Sequence, residues 1–190
     1  MSRTVKDPEE RKEELLQIGI DLFLQGGDKN ISIQKVANRA DVATGLFYYY
    51  FKTKEEFIEQ AHERYLHDYV VDLEKIVCDK KISVMDRLEF LLKQFSTRFY
   101  EVAGMYQSAP SNHPKHFALL EGLIVSKLHK TVTGFVKEGC EAGFFKVADP
   151  ELTALFVVCG LAGILQRINL IKNGDANEEI RRLVFSILSI

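Results

Sequence analysis

The 190-residue sequence contains few of the residues that cross-link or interrupt a fold, with three cysteines and four prolines, and it has no tryptophan. The cysteines (Cys78, Cys140 and Cys159) are odd in number and far apart, and no Cys-x-x-Cys pair occurs. This pattern argues against a disulfide framework or a structural zinc site and favours a reducing compartment. A chain of this length can bury a sufficient core without such cross-links.

Membrane-spanning and secretory segments are also absent from the sequence. The longest unbroken apolar run extends from Ala154 to Leu165, twelve residues, which is too short to cross a bilayer. The first thirty residues are highly charged and lack the apolar stretch of a secretory signal. We therefore expect a cytoplasmic protein with no membrane partner.

Recognisable catalytic motifs are missing as well. There is no Gly-x-Ser-x-Gly, no His-Glu-x-x-His and no phosphate-binding glycine loop. His113 and His116 have a spacing that two metal ligands can have, but without an acidic or cysteine partner a surface pair is the preferred reading. The sequence thus predicts no enzyme activity, no metal and no cofactor.

Charge at first argues against a nucleic-acid partner, because the net charge is −2 and the isoelectric point is about 6.2. The distribution is uneven, however. Residues 28–54 carry five basic and two acidic residues, whereas residues 55–190 carry sixteen basic and nineteen acidic ones. Affinity for DNA depends on the phosphates that are actually neutralised, so a local basic segment is sufficient.

Apolar residues recur at helical spacing along almost the whole chain, and no stretch alternates at the period of a strand. Helix-start signals occur at Asp7-Pro8 and Asp149-Pro150, where an N-cap precedes proline. Thr53 and Glu56 form a capping-box pattern in which the Glu56 carboxylate is expected to reach the backbone of Thr53. The predicted fold is all-α, with about nine helices.

Residues 31–57 differ from the long helices around them. Ser32 is a candidate cap for a short helix, residues 41–43 are suited to a turn, and a second short helix is predicted from about Thr44 to Tyr50. Two short helices joined by such a turn are typical of a helix-turn-helix, whose second helix enters the major groove of DNA.

This segment resembles the DNA-binding domain of the TetR family of transcriptional regulators over about residues 8–58. The residues that carry the resemblance are Ala37, Ala40, Val42, Gly45, Tyr48, Tyr50, Phe51, Lys54 and Glu55. The resemblance implies a three-helix DNA-binding domain at residues 1–54. It also implies a helical domain for ligand binding and dimerisation at residues 55–190.

The resemblance also implies a set of DNA contacts. Gly45 corresponds to a small residue that lets the recognition helix approach the bases, Tyr48 to a phosphate contact, and Tyr49 to a position that reads base edges. The candidate DNA-binding residues are Ser32, Gln34, Lys35, Thr44, Gly45, Tyr48, Tyr49 and Lys54. The first three are expected to position the protein on the backbone, and Lys54 to face a phosphate.

The sequence departs from the family pattern at three positions. Asp41 stands where glycine is usual, Ala43 replaces a serine or threonine cap, and Leu46 replaces a small polar residue. These departures bear on the operator sequence more than on the function. Phe47 and Phe51 are predicted to be core residues and not DNA contacts.

The larger domain is expected to bind a signal molecule and to dimerise. Its candidate ligand-binding residues are Phe95, Phe99, Tyr100, Met105, Tyr106 and Phe117. An aromatic and methionine stripe can equally be ordinary core. The last two helices, residues 150–172 and 177–190, are predicted to pair with their copies in a homodimer, although an apolar hairpin can also be core.

Together these features predict a ligand-responsive dimeric regulator of transcription. The most specific form of the prediction is a repressor that binds a palindromic operator on double-stranded DNA and is released by a small hydrophobic molecule. Two alternatives remain at this stage: a helical binding module without DNA affinity, and an enzyme whose site no motif shows.

Overall fold

The computed structural model describes residues 7–108, 114–166 and 176–190, with side chains except at residues 99–100, 102–121, 123, 165–166 and 176. Within these ranges the chain forms eight α-helices, one short 3-10 helix at Asp28–Asn30 and no strand, which confirms the all-α prediction. No helix in the described ranges is long and apolar enough to cross a bilayer.

The helices fall into two compact units, the first containing the chain up to His67 and the second most of the chain from Asp68 onward. Helix α4 carries residues of both units. The helices are α1 (Pro8–Gly26), α2 (Ile33–Arg39), α3 (Thr44–Tyr50), α4 (Lys54–Cys78), α5 (Val84–Ser108), α6 (Pro114–Glu141), α7 (Pro150–Gln166) and α8 (Ala176–Leu188).

Side-chain caps start most of these helices where the sequence predicts them. Asp7 Oδ1 accepts a hydrogen bond from the Glu9 amide at 2.9 Å, and Ser32 Oγ accepts one from the Lys35 amide at 3.2 Å. Asp149 Oδ1 accepts from the Leu152 amide at 3.0 Å at the start of α7. Each cap satisfies backbone donors that have no partner within the helix.

The capping box at the start of α4 differs from the prediction in one contact. Thr53 Oγ1 accepts from the Glu56 amide at 3.0 Å, as expected. The Glu56 carboxylate, however, accepts from the amide of Lys52 at 2.9 Å and not from that of Thr53. The predicted contact is therefore wrong by one residue. The observed contact between Glu56 and Lys52 links the end of the α3–α4 connection to the first turn of α4.

The core of the first unit is formed where α1 and α4 pack on the two short helices. Gly19 in α1 faces the Phe57 ring of α4, and a Cβ at Gly19 would lie 2.6 Å from Phe57 Cζ. Only glycine permits this approach of the two helices. The second unit has its own core, to which α4, α5, α6, α7 and α8 contribute.

Candidate nucleic-acid interface and apolar cavity

The buried face of helix α3 packs in a cluster of phenylalanine rings. Phe47, Phe51 and Phe57 are fully buried. Their ring centroids lie 4.9–5.3 Å apart in tilted or edge-to-face arrangements, which are favourable geometries for aromatic pairs. The prediction that Phe47 and Phe51 belong to the core is confirmed, and the cluster fixes the orientation of the short helix.

The opposite face of α3 projects into open space. Tyr48 is 55% exposed and Tyr49 is 74% exposed, which is unusual for large aromatic side chains. A Cβ built on Gly45 would meet no atom within 4 Å. Gly45 thus leaves a gap on the exposed face, one turn before the two tyrosines, where another surface can approach the backbone.

The turn between α2 and α3 contains a strained residue. Asp41 has φ = +52°, in the left-handed region that favours glycine. The structure therefore gives a physical reason why a glycine suits this position. At Ala43, which has extended backbone before α3, no side chain caps the helix, as the sequence predicts.

The candidate contacts on α2 already have partners within the chain. Lys35 Nζ donates to the side-chain oxygen of Asn30 at 2.7 Å, and Gln34 Nε2 donates to Asn38 Oδ1 at 2.9 Å. Both side chains are exposed, so these surface bonds can be exchanged for other acceptors. Ser32 is half-buried and acts as the cap of α2.

Thr44 and Lys54 are both half-buried, at the first residues of α3 and α4 respectively. Sequence reasoning missed the neighbouring Lys52 as a candidate contact. Lys52 is exposed in the connection between α3 and α4, two residues before Lys54. Lys52 and Lys54 thus add two cations between the end of α3 and the start of α4.

A buried histidine of α4 contacts the short 3-10 helix. His62 is 2% exposed, and its Nε2 lies 3.1 Å from Asp28 Oδ1. The ring of Phe23 packs edge-on against the imidazole, with 5.1 Å between the centroids. No sequence motif predicts the contact between His62 and Asp28, because the two residues are 34 positions apart in the chain.

The second unit contains an apolar cavity of about 120 Å³, partly open to the surface, between α4, α5, α6, α7 and α8. Among the described residues that line it, Tyr69 is the only one with a polar side-chain atom. Representative wall residues from the five helices are Tyr69, Leu92, Phe95, Leu128, Ala162 and Val184.

The predicted ligand-binding residues relate to this cavity only in part. Phe95 lines it and is 8% exposed. The side chains of the other five candidates lie outside the described residues: Phe99, Tyr100, Met105, Tyr106 and Phe117. Sequence reasoning missed the α7 and α8 walls, because periodicity identifies apolar faces but not the space left between them.

One edge of the cavity is supported by a buried arginine. Arg87 is 1% exposed and donates to the backbone oxygen of Val77 at 2.6 Å and to Glu138 Oε1 at 2.5 Å. Its guanidinium lies 5.3 Å from the centroid of the Phe135 ring. Val77 and Phe135 both line the cavity, so Arg87 fixes two wall residues at once.

The same contact changes the acidity of the carboxylate. The hydrogen bond from Arg87 is the largest cause that lowers the pKa of Glu138 from 4.5 to about 2, against the opposing effect of burial. Lys80 also contacts Glu138 and adds to the shift. Glu138 is therefore ionised at neutral pH, and Arg87 keeps an anionic partner.

Helix α7 carries an exposed apolar stripe on the side away from the cavity. Leu152 is 62% exposed and Phe156 is 65% exposed, while Cys159 and Gly160 continue the same face at helical spacing. Leu183 of α8 is 49% exposed. Contiguous exposed apolar surface of this kind is typical of a protein interface.

Comparison with known proteins agrees with the geometry of the first unit. Residues 15–61 match the family model of bacterial regulatory proteins of the tetR family. The chain is 28% identical over 85 residues to the HTH-type transcriptional repressor KstR2 of Mycolicibacterium smegmatis. That match covers 45% of this chain and 41% of KstR2, so the chain spans less than half the length of this relative.

Two further likenesses extend over nearly the whole chain. The repressor DhaR of Mycobacterium sp. strain GP1 is 22% identical over 185 residues, covering 93% of this chain and 91% of DhaR. The structure of FadR from Bacillus subtilis in complex with stearoyl-CoA has a TM-score of 0.62 and 16% identity, covering 93% of this chain and 97% of FadR. At this identity the structural likeness concerns the fold alone.

The helix-turn-helix geometry, the family match to residues 15–61 and the relatives that are transcriptional repressors agree with one another. Residues 15–61 thus form a helix-turn-helix domain of the tetR family of bacterial regulatory proteins, and the whole chain is similar in sequence to HTH-type transcriptional repressors.

Proposed function

We propose that this protein is a dimeric transcriptional repressor that binds a palindromic operator and is released by a small hydrophobic molecule. The observation that carries the proposal is the exposed face of α3. Gly45, Tyr48 and Tyr49 project from a short helix whose other face is fixed in an aromatic core. A helix presented in this way fits the major groove of DNA.

On this proposal Tyr49 reads base edges, since its ring can contact thymine methyl groups and its hydroxyl can bind one polar base atom. Tyr48, Thr44 and Lys54 contact the DNA around it. Lys35 exchanges its surface bond with Asn30 for a phosphate oxygen, and Ser32 and Gln34 help to position α2 on the backbone. Function thus divides near Lys54, with residues 1–54 reading DNA and residues 55–190 sensing and dimerising.

Dimerisation follows from the requirement for two recognition helices on a palindrome. Paired half-sites lie one helical turn apart, about 34–36 Å, and a two-fold protein matches them. The exposed stripe of Leu152, Phe156 and Gly160 on α7 offers a self-complementary surface, and Leu183 lies on α8. We assign this surface to the homodimer interface. A DNA-bound role places the protein in the cytoplasm.

Helix α4 can couple ligand binding to release of the protein from DNA. This helix begins at Lys54 and reaches Tyr69, Leu73 and Val77, which line the cavity. A ligand that binds the cavity better in the DNA-incompetent state shifts the population toward that state, with a coupling of about 1–3 kcal/mol. The fold likeness to FadR, whose structure holds stearoyl-CoA, supports a ligand-binding role for the second unit.

Selection of bound sequences from a random duplex library tests the proposal. The expected result is enrichment of one palindrome, with half-site centres about one helical turn apart. If no sequence is enriched while the protein is folded, the regulator proposal fails. The uncapped Ala43 then favours the alternative, a helical binding module without DNA affinity.

A further inference from the structure

The walls of the cavity carry chemical information about its ligand. The described lining is apolar on five helices, and Tyr69 supplies its only polar side-chain atom. A carboxylate or ammonium group in this space would lose its hydration, and from the described wall residues it would gain at most the Tyr69 hydroxyl as a partner. Burying an unpaired charge in this way is strongly unfavourable.

Two described arginines next to the wall, Arg87 and Arg98, already have partners. The Arg87 guanidinium is held by Glu138 and by the backbone oxygens of Val77 and Ile82. Arg98 lies over the Tyr69 ring, 5.8 Å from its centroid, and Nη2 is 3.6 Å from Asp72 Oδ2. An anionic ligand would have to break one of these pairs, and a cationic ligand would lie near two guanidinium groups.

The volume of the cavity limits the size of the ligand. At about 120 Å³ it is somewhat smaller than the engineered cavity of roughly 150 Å³ in another protein that stays dry and binds benzene. One six-membered ring or a short branched alkyl group fills such a space. A long acyl chain with a polar head exceeds this volume, so most of it would lie outside the cavity.

We propose that the ligand of this cavity is an uncharged apolar molecule of about one ring, with at most one hydrogen-bonding group. This inference rests on the proposed function, which makes the cavity the effector site. It separates this chain from a ligand of the stearoyl-CoA kind, which is long and multiply charged. Three observations support this ligand class: Tyr69 is the single polar residue in the described wall, Arg87 and Arg98 already have partners, and the cavity volume is small.

Direct binding without DNA tests the ligand class. Calorimetry or ligand-observed NMR on the full chain compares toluene with benzoate and benzylammonium, which have similar rings but carry a charge. Toluene is expected to bind at least about 100-fold more tightly than either ion, since the ions must be buried unpaired. Equal affinity for an ion, or tighter binding of stearoyl-CoA than of toluene, would overturn the proposal.

Two substitutions in the wall assign the binding to this cavity. Leu128→Ala enlarges the cavity and should shift the preference from toluene to naphthalene by about tenfold, because a deleted side chain leaves space that the surroundings fill only in part. Leu24→Ala makes the same change at an exposed position of α1, where the side chain is 44% exposed, and should leave the preference unchanged. Ala162→Leu should weaken toluene binding at least about tenfold by filling the space.

If the Leu128→Ala variant shows the same preference as the natural chain and the Leu24→Ala control, the ligand does not bind in this cavity and the inference is wrong. Two further outcomes distinguish an error in the ligand class from an error in the proposed function. Toluene binding without any enriched operator contradicts only the regulator role. An operator that benzoate or stearoyl-CoA releases, with no effect of toluene, contradicts only the ligand class.

Discussion

Asp41 is the residue whose backbone conformation departs most from its ordinary preference in the helix-turn-helix. Its φ of +52° costs free energy for a residue with a Cβ, and its side chain is exposed. Asp41→Gly should therefore raise the free energy of unfolding by about 0.5–1 kcal/mol, after the greater entropy of glycine in the unfolded chain is subtracted. Urea denaturation of the whole chain measures the change.

Asp41→Ala is the matched control for this prediction, because it removes the carboxylate but keeps the Cβ. The alanine variant should gain no stability. Equal stabilisation by glycine and alanine would show that the carboxylate, and not the backbone conformation, is the source of the cost.

Ala43 leaves the first turn of α3 without a side-chain acceptor, although its backbone has the extended conformation of an N-cap. Ala43→Ser should stabilise the protein by about 1 kcal/mol through a hydrogen bond to a free amide of the first turn. The reciprocal change, Ser32→Ala, removes the bond to the Lys35 amide and should cost a similar amount.

Thermal or urea unfolding of the two variants checks the pair. The prediction fails if Ala43→Ser is neutral while Ser32→Ala is destabilising, because then α3 gains nothing from a cap. It also fails if the two changes shift the unfolding midpoint in the same direction.

At the scale of the helices, the contact between Arg87 of α5 and Glu138 of α6 is the most buried pair of an arginine or lysine with a carboxylate among the described residues. The folded pKa of Glu138 is about 2, below its ordinary value of 4.5. A lowered folded pKa gives stability that is complete above pH 4.5 and is lost as the pH falls toward 2. Protonation of Glu138 leaves Arg87 buried without an anion.

Glu138→Gln should lower the free energy of unfolding at pH 7 by about 2–3 kcal/mol, because it breaks a largely buried ion pair. The difference from the natural chain should shrink at pH 3, where the natural carboxylate is partly protonated in the unfolded state. Urea midpoints at the two pH values measure this. A difference that is the same at both values would contradict the assignment of the shift to Arg87.

Glu89→Gln provides the matched control. Its partner Arg181 lies on α8, and both side chains are more than one third exposed, at 44% and 39%. Exposed ion pairs contribute little, so the urea midpoint of this variant at pH 7 should shift much less than that of Glu138→Gln.

The sequence was sufficient to predict the elements because each helix has local signals. The caps at Asp7, Ser32 and Asp149 and the burial of Phe47 and Phe51 could all be predicted, since they depend on short-range spacing. The capping box at Thr53 was predicted except for one register shift of its Glu56 contact.

The contacts that join distant segments could not be predicted in the same way. His62 and Asp28 are 34 residues apart, and Arg87 and Glu138 are 51 residues apart. Periodicity shows that a face is apolar but not which other face it meets. The cavity lined by Leu92, Leu128 and Val184 therefore came from the structure alone.

At the scale of the whole molecule, the modest net charge of −2 is compatible with DNA binding because the positive charge is local. The relatives KstR2 and DhaR are transcriptional repressors. The proposed dimer depends on α7, which faces the cavity on one side through Val158 and Ala162 and is exposed on the other through Phe156.

Phe156→Glu places a charge in the proposed dimer surface and should convert the protein to a monomer at micromolar concentration, since burying the carboxylate unpaired is unfavourable. Operator affinity should fall with it. Sedimentation velocity measures the molecular mass. Phe90→Glu, at a position 46% exposed on α5, is the control that should leave the dimer intact. If the Phe156→Glu variant remains a dimer, α7 is not part of the dimer interface.

The proposed function depends above all on the exposed face of α3, which we propose reads DNA sequence. Fluorescence anisotropy with a selected operator and an unrelated duplex of equal length, repeated at several salt concentrations, tests this role. Tyr49→Ala should lower operator affinity by about 5–150-fold, corresponding to roughly 1–3 kcal/mol for a base contact, and leave affinity for the unrelated duplex unchanged. Equal loss on both duplexes, or no loss on either, would contradict the claim.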